Sequence, residues 1–215
     1  MLMKVKVENE IITEIESDGS SLLHIPADAV DIDETVMYGG GPEGIEQITV
    51  DSSNTHFKVC NGCLVHADTG TLVIAPNNSS VPTDGSIKII GAGAFGNNST
   101  IQELELPDGV ELLDVGCFSC SSIQKLTLPK SVLIVRGNAF GICANLSEII
   151  VLGKNTEFEI SAFAKKLNNG EPMPKVFWEY INPNLTIKAA PGSAVESCAK
   201  ANEIAYQEIP IWSFE

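Results

Sequence analysis

Residues 86–107 read SIKIIGAGAFGNNSTIQELELP, and the chain then writes the same pattern twice more, as VELLDVGCFSCSSIQKLTLP (110–129) and VLIVRGNAFGICANLSEIIV (132–151). Aligned on phenylalanine, Phe95, Phe118 and Phe140 stand 23 and 22 residues apart. Ahead of each phenylalanine lie the pairs Ile87/Ile89, Val110/Leu112 and Val132/Ile134; after it come Ile101, Ile123 and Leu146. Leu104/Leu106, Leu126/Leu128 and Ile149/Val151 close the units, with Pro107 and Pro129 as punctuation. The residue just before each ring is small: Ala94, Cys117 or Ala139.

Two short alternating runs per unit predict two brief strands joined by a turn. One unit of about twenty residues cannot bury its own apolar face, whereas stacked copies bury theirs against one another. A period in the low twenties with an L-x-x-L-x-L close therefore predicts a leucine-rich solenoid with the phenylalanines as successive rungs of one ring stack.

The 215-residue chain is long enough for a substantial core, and one elongated domain is the natural count. Its content of 44% hydrophobic but only 6% aromatic residues suits a solenoid filled with Ile, Leu and Val. The formal charge is −15, with Arg136 the one arginine, so the clustered cations that nucleic acid requires are missing. The same acidity disfavours anionic membranes. No apolar run approaches the roughly 18 residues of a membrane span, so membrane insertion is not expected. The opening MLMKVKVENEIITEIE carries early charges and no continuous apolar core, so it does not read as a signal peptide. An intracellular setting stands beside a secreted one.

Outside the regular copies, residues 1–50 read as an N-terminal cap with degenerate repeats. A hairpin is expected to turn at Glu8-Asn9-Glu10, followed by a turn at Ser17-Asp18-Gly19. Leu23, Ile25 and Pro26, then Ile45, Ile48 and Val50, resemble repeat closes on either side of a Gly39-Gly40-Gly41-Pro42 loop. Residues 56–80 contain a three-stranded meander, 57–60, 63–67 and 71–75, turned by Asn61-Gly62 and Asp68-Thr69-Gly70. Residues 82–151 hold the regular repeats. Residues 152–215 read as a degenerate repeat retaining Ala162-Phe163 and a C-terminal cap. That cap comprises an aromatic strand (Val176, Phe177, Trp178, Tyr180), a strand at Leu185, Ile187 and Ala189, a short helix and a final strand from Ile204 to Ile209. Ser193 is expected to N-cap the helix, with Val195, Cys198 and Ala199 on one face.

These residues resemble the BspA-type leucine-rich repeat, whose unit has the form I-G-x-x-A-F-x-x-C-x-x-L-x-x-I-x-L-P. Gly91, Ala94, Phe95, Ile101, Leu104, Leu106 and Pro107 match it, with Asn98 where the family often has cysteine. Phe118, Cys120, Ile123, Leu126, Leu128 and Pro129 match in the second copy, and Gly137, Ala139, Phe140, Cys143, Leu146, Ile149 and Val151 in the third. Phe57, Gly62 and Leu64 are similar to the family's usual insertion, and Pro191-Gly192-Ser193 to its usual ending. The resemblance implies a mainly β fold with short helices: a right-handed solenoid with an inserted meander and terminal caps. It also implies a surface or adhesion-type interaction role in bacteria.

Chemistry weighs less. Cys60-Asn61-Gly62-Cys63 and Cys117-Phe118-Ser119-Cys120 are both C-x-x-C, which opens an alternative metal- or thiol-dependent function. Their separation does not suit a zinc ribbon, and small buried apolar roles are the expectation for Cys117, Cys120, Cys143 and Cys198. His56 and His66 approach one another if the first hairpin forms, with Asp68 close in sequence, while His24 is remote. That trio has no hydrolase motif behind it, and Gly91-Ala92-Gly93 lacks the long helix of a nucleotide turn. No cofactor is expected.

A binding surface is easier to argue. On the closing strands, residues between the buried ones face outward: Gln47 and Thr49, then Glu103 and Glu105, Lys125 and Thr127, Glu148 and Ile150. Phe177 or Trp178, then Thr186 and Lys188, are expected to extend the face and set an aromatic beside Ile150. The expected function is a non-enzymatic module presenting this face to a protein or glycan partner.

Overall fold

A computed structural model describes residues 2–17, 19–37, 42–163, 171–172 and 182–210. Each repeat contributes one strand to each of two sheets. The opening strands are β9 (Ile89–Ile90), β11 (Leu112–Leu113), β13 (Ile134–Val135) and β15 (Glu157–Phe158), paired in parallel in that order. The closing strands are β10 (Glu103–Glu105), β12 (Lys125–Leu128), β14 (Glu148–Val151), β16 (Thr186–Ala189) and β17 (Ala205–Glu208), also parallel. Their register sets Leu104, Leu126, Ile149, Ile187 and Tyr206 side by side.

Between the two strands of a unit the chain turns through the phenylalanine. Phe95, Phe118 and Phe140 are buried and stacked, at ring separations of 4.9 and 6.1 Å and interplanar angles of 13° and 16°. Phe163 extends the stack, 5.3 Å from Phe140, so the degenerate fourth unit still supplies its rung. The backbone runs its own ladder here. The Phe95, Phe118 and Phe140 amides donate to the carbonyls of Cys117, Ala139 and Ala162. Those residues must be small because each is buried under the neighbouring unit. Two left-handed residues frame each ring: Gly93, Gly116 or Asn138 two before it, and Asn97, Cys120 or Ile142 two after it.

The opening strands depart from strict alternation. The residues that point inward are Ile87/Ile90, Val110/Leu113 and Val132/Val135, all buried, while Ile89, Leu112 and Ile134 face outward. A strand of only two residues imposes period-two facing over its own length and no further, so the residue three positions earlier returns to the core.

The meander forms as expected: β6 (Phe57–Cys60), β7 (Cys63–His66) and β8 (Thr71–Ile74) are antiparallel. Asn61 and Gly62 both have positive φ, the condition for a two-residue turn that matches strand twist. The meander is continuous with the repeats, because β8 pairs in parallel with β9 and completes a seven-stranded sheet. It is also a wall between two cores. Cys63, Val65 and Leu72 point into the repeat core, whereas Phe57, Leu64 and Ile74 point into a second core with Met3, Ile12, Leu23, Ile25, Met37 and Ile48.

That second core belongs to the N-terminal unit. The hairpin of β1 (Lys4–Glu8) and β2 (Ile11–Glu16) turns on Asn9 and Glu10, both left-handed, and β2 pairs in parallel with β4 (Asp31–Ile32). A 3₁₀ turn follows at Glu34–Met37. β3 (Leu22–Ile25) and β5 (Gln47–Val50) pair in parallel, with Leu23 on Ile48 and Ile25 on Val50, as their likeness to repeat closes predicts. At the other end, α1 (Ala194–Ala201) buries Val195, Cys198 and Ala199. Ser193 occupies the N-cap position with extended backbone, but its side chain makes no capping bond, which corrects that expectation. Val176, Phe177, Trp178 and Tyr180 lie outside the described residues.

Candidate functional site

The closing sheet presents two outward rows. One is Glu103, Lys125, Glu148 and Thr186; the other is Glu105, Thr127, Ile150 and Lys188. Parallel register at one strand spacing brings unlike charges together, and Lys125 reaches Glu103 at 3.3 Å while Lys188 reaches Glu148 at 2.5 Å. Lys125–Glu103 is solvated and orders its side chains more than it stabilises the fold, whereas Lys188–Glu148 is half-buried. Ile150 is half-buried between Thr127 and Lys188. Its expected aromatic neighbour, Phe177, falls outside the described residues.

Gln47 and Thr49 do not join this face. They sit on the separate two-stranded sheet, where Gln47 pairs with Leu22 and the Thr49 hydroxyl meets His24 Nδ1 at 3.0 Å. Residues 75–81 come between β5 and β10. The Ser80 amide bonds to the Asn61 carbonyl, the Ser99 amide to Asn77, and the Asn98 amide nitrogen to the carbonyls of Ala75 and Pro76. The meander's exit thus takes the place of a closing strand, which a stacking order inferred from closes alone does not reveal.

Asn98 itself is buried. Its carbonyl oxygen accepts from the Thr100 and Ile101 amides, so one side chain satisfies both flanks of its turn. In the third copy the equivalent Cys143 donates its thiol to the Phe118 carbonyl at 3.0 Å. Asn54 repeats the asparagine's part in the N-terminal unit, donating to Pro26 and Ala29 and accepting from His56 and Phe57.

All six cysteines are free thiols. Cys60 and Cys63 are directly opposed across the Asn61-Gly62 turn. Burial raises the thiols of Cys63, Cys117 and Cys120, and pushes Cys143 up to about 12 and Cys198 up to about 11. Groups held so firmly as thiols make poor nucleophiles and poor metal ligands. Among the described residues no three His, Cys, Asp or Glu side chains are placed to share a metal ion. His56 does approach His66, at 6.4 Å between rings, and its Nδ1 lies 3.0 Å from Asp68. His66 turns its Nε2 to the Val30 carbonyl at 3.2 Å. No nucleophile is hydrogen-bonded to the His56 ring among the described residues.

The opposite sheet carries a surface of its own, built from the second members of the apolar pairs that precede each phenylalanine. Ile89, Leu112 and Ile134 form an outward row, Ile134 being 44% exposed, with Leu133 beside it 51% exposed. They stand two residues after a buried position, but the residues that return to the core are those three after it, in the pairs Ile87/Ile90, Val110/Leu113 and Val132/Val135.

Comparison with known proteins places the repeats. Residues 75–170 match the model of the BspA type leucine rich repeat region, in six copies. No match to a curated protein was found. Among solved structures the chain is similar to the pneumococcal vaccine antigen PcpA (13% identity, TM-score 0.45, covering 91% of this chain and 62% of that one). It is also similar to a leucine-rich repeat protein of Eubacterium ventriosum (17%, 0.39, covering 64% and 50%). A third is a leucine rich cell surface protein of Faecalibacterium prausnitzii (16%, 0.49, covering 84% and 50%). The chain therefore spans between half and 62% of the length of these proteins. With its stacked phenylalanines and paired opening and closing strands, the stretch 75–170 is a BspA-type leucine-rich repeat region.

Proposed function

We propose that this protein is a non-enzymatic interaction module whose closing sheet receives a protein or glycan partner in an adhesion-type role at a bacterial cell surface. The observation that carries the reading is the register of the closing strands. It lines up Glu103, Lys125 and Glu148 in one row and Glu105, Thr127 and Ile150 in the next. Such a face offers regularly spaced donors and acceptors around one aliphatic contact, the composition of a polar, hydrated recognition surface. The repeat family supports recognition as the general role. Against catalysis stands the chemistry of the candidates: firmly protonated thiols, and a His56–Asp68 pair that lies at the surface.

The test is capture of partners by wild type and by Glu103→Lys/Glu105→Lys. The exchange reverses two exposed charges without touching the core, so folding should be unchanged in a melt. Loss of captured protein or glycan is expected. Equal capture by both forms would remove this face from the account.

A further inference from the structure

The other sheet carries a distinct surface. From β6 to β8 its outward side is covered by the N-terminal unit, which buries Phe57, Leu64 and Ile74. The cover stops at β4 and the 3₁₀ turn. There it leaves a groove of about 260 Å³, floored by Val73, Ile89 and Ala92 and edged by Asp31, Glu34 and Asp114. Beyond the groove, Leu112 and Ile134 continue from Ile89 as a cross-strand row, half-buried at Leu112 and 44% exposed at Ile134. Leu133 and Val115, 51% and 39% exposed, widen the apolar strip.

We propose that this face docks a partner segment bearing a lysine or arginine next to aliphatic residues. The cation would sit among Asp31, Glu34 and Asp114 and the aliphatic side chains on Ile89, Leu112 and Ile134. Charge decides the kind of partner. Arg136 pairs with Asp114 at 3.2 Å, Asp31 and Glu34 add two further carboxylates to the lining of the groove, and the whole chain carries −15. An acidic segment is repelled both locally and at long range. An exposed aliphatic row with a charged edge is also the arrangement of a protein contact, with an apolar centre and a polar rim. This surface lies on the opposite sheet from the face proposed above, so either can fail without the other.

The probe is a displayed random peptide library panned on immobilised wild-type protein, with a parallel arm on Asp31→Asn/Asp114→Asn/Ile134→Ser. All three positions are outside the core, and a thermal melt checks that the variant folds. Enriched peptides are expected to carry Lys or Arg beside aliphatic residues. As synthetic peptides they should bind the variant about tenfold or more weakly, from lost charge and lost apolar contact, and should weaken as salt is raised. Glu103→Lys/Glu105→Lys should bind them as wild type does. Three results would overturn the proposal: enrichment of acidic or neutral peptides, equal binding to the variant, or no enrichment at all.

Discussion

Ile142 has φ of 58°, a left-handed conformation that a β-branched side chain adopts only under strain. The same position is Asn97 in the first repeat and Cys120 in the second. The turn fixes the conformation, and the third repeat carries the wrong residue for it. Ile142→Asn is expected to raise stability by about 1 kcal/mol, read as a higher denaturant midpoint with an unchanged slope. Phe118 makes the opposite case: fully buried, with stacked rings on both sides, it should cost about 3–5 kcal/mol as Phe118→Ala. The cysteines give a pH signature. A thiol whose folded-state value is raised is protonated in both states below its ordinary 9.0, and above it the unfolded chain ionises first. Stability should be full below about pH 9 and fall as pH climbs toward the value of about 12 held by Cys143. Denaturant midpoints between pH 8 and 11 check this, and a rise across that range would contradict the buried-thiol assignment.

The elements show what the pattern of the chain reveals and what it conceals. Phenylalanine spacing exposes the repeat because each ring needs a partner one unit away, and the closing pairs are legible because those strands are long enough to alternate. The opening strands are not. Two hydrogen-bonded residues between turns leave facing to the path of the turns, and Ile89, Leu112 and Ile134 emerge on the outward side. The meander's turn is legible in Asn61-Gly62, yet its role as a wall between two cores needs the register of β8 on β9. Gly93 marks the seam. It is left-handed, and a side chain there would collide with the Met37 carbonyl of the N-terminal unit. Gly93→Ala is expected to lose about 1–3 kcal/mol, from the left-handed backbone together with that clash. Amide exchange should quicken first in the N-terminal unit, and uniform loss across the repeats would contradict a local seam.

At the scale of the molecule, stacking converts a repeated sequence into two faces with different chemistry. The closing sheet is a charged lattice ordered by Lys125–Glu103 and Lys188–Glu148, and the opening sheet an aliphatic strip beginning at an acidic groove. The candidate surface was only partly legible in the sequence. Glu103, Glu105, Lys125, Thr127, Glu148 and Ile150 are neighbours through parallel register, whereas Gln47 and Thr49 are parted from them by residues 75–81. The most direct measurement is side-chain footprinting of the captured complex, with carbodiimide for carboxylates and reductive methylation for lysines. Protection should concentrate on Glu103, Glu105, Lys125, Glu148 and Lys188. Protection confined to Asp31, Glu111 and Glu157 on the other face, or none at all, would contradict recognition through the closing sheet.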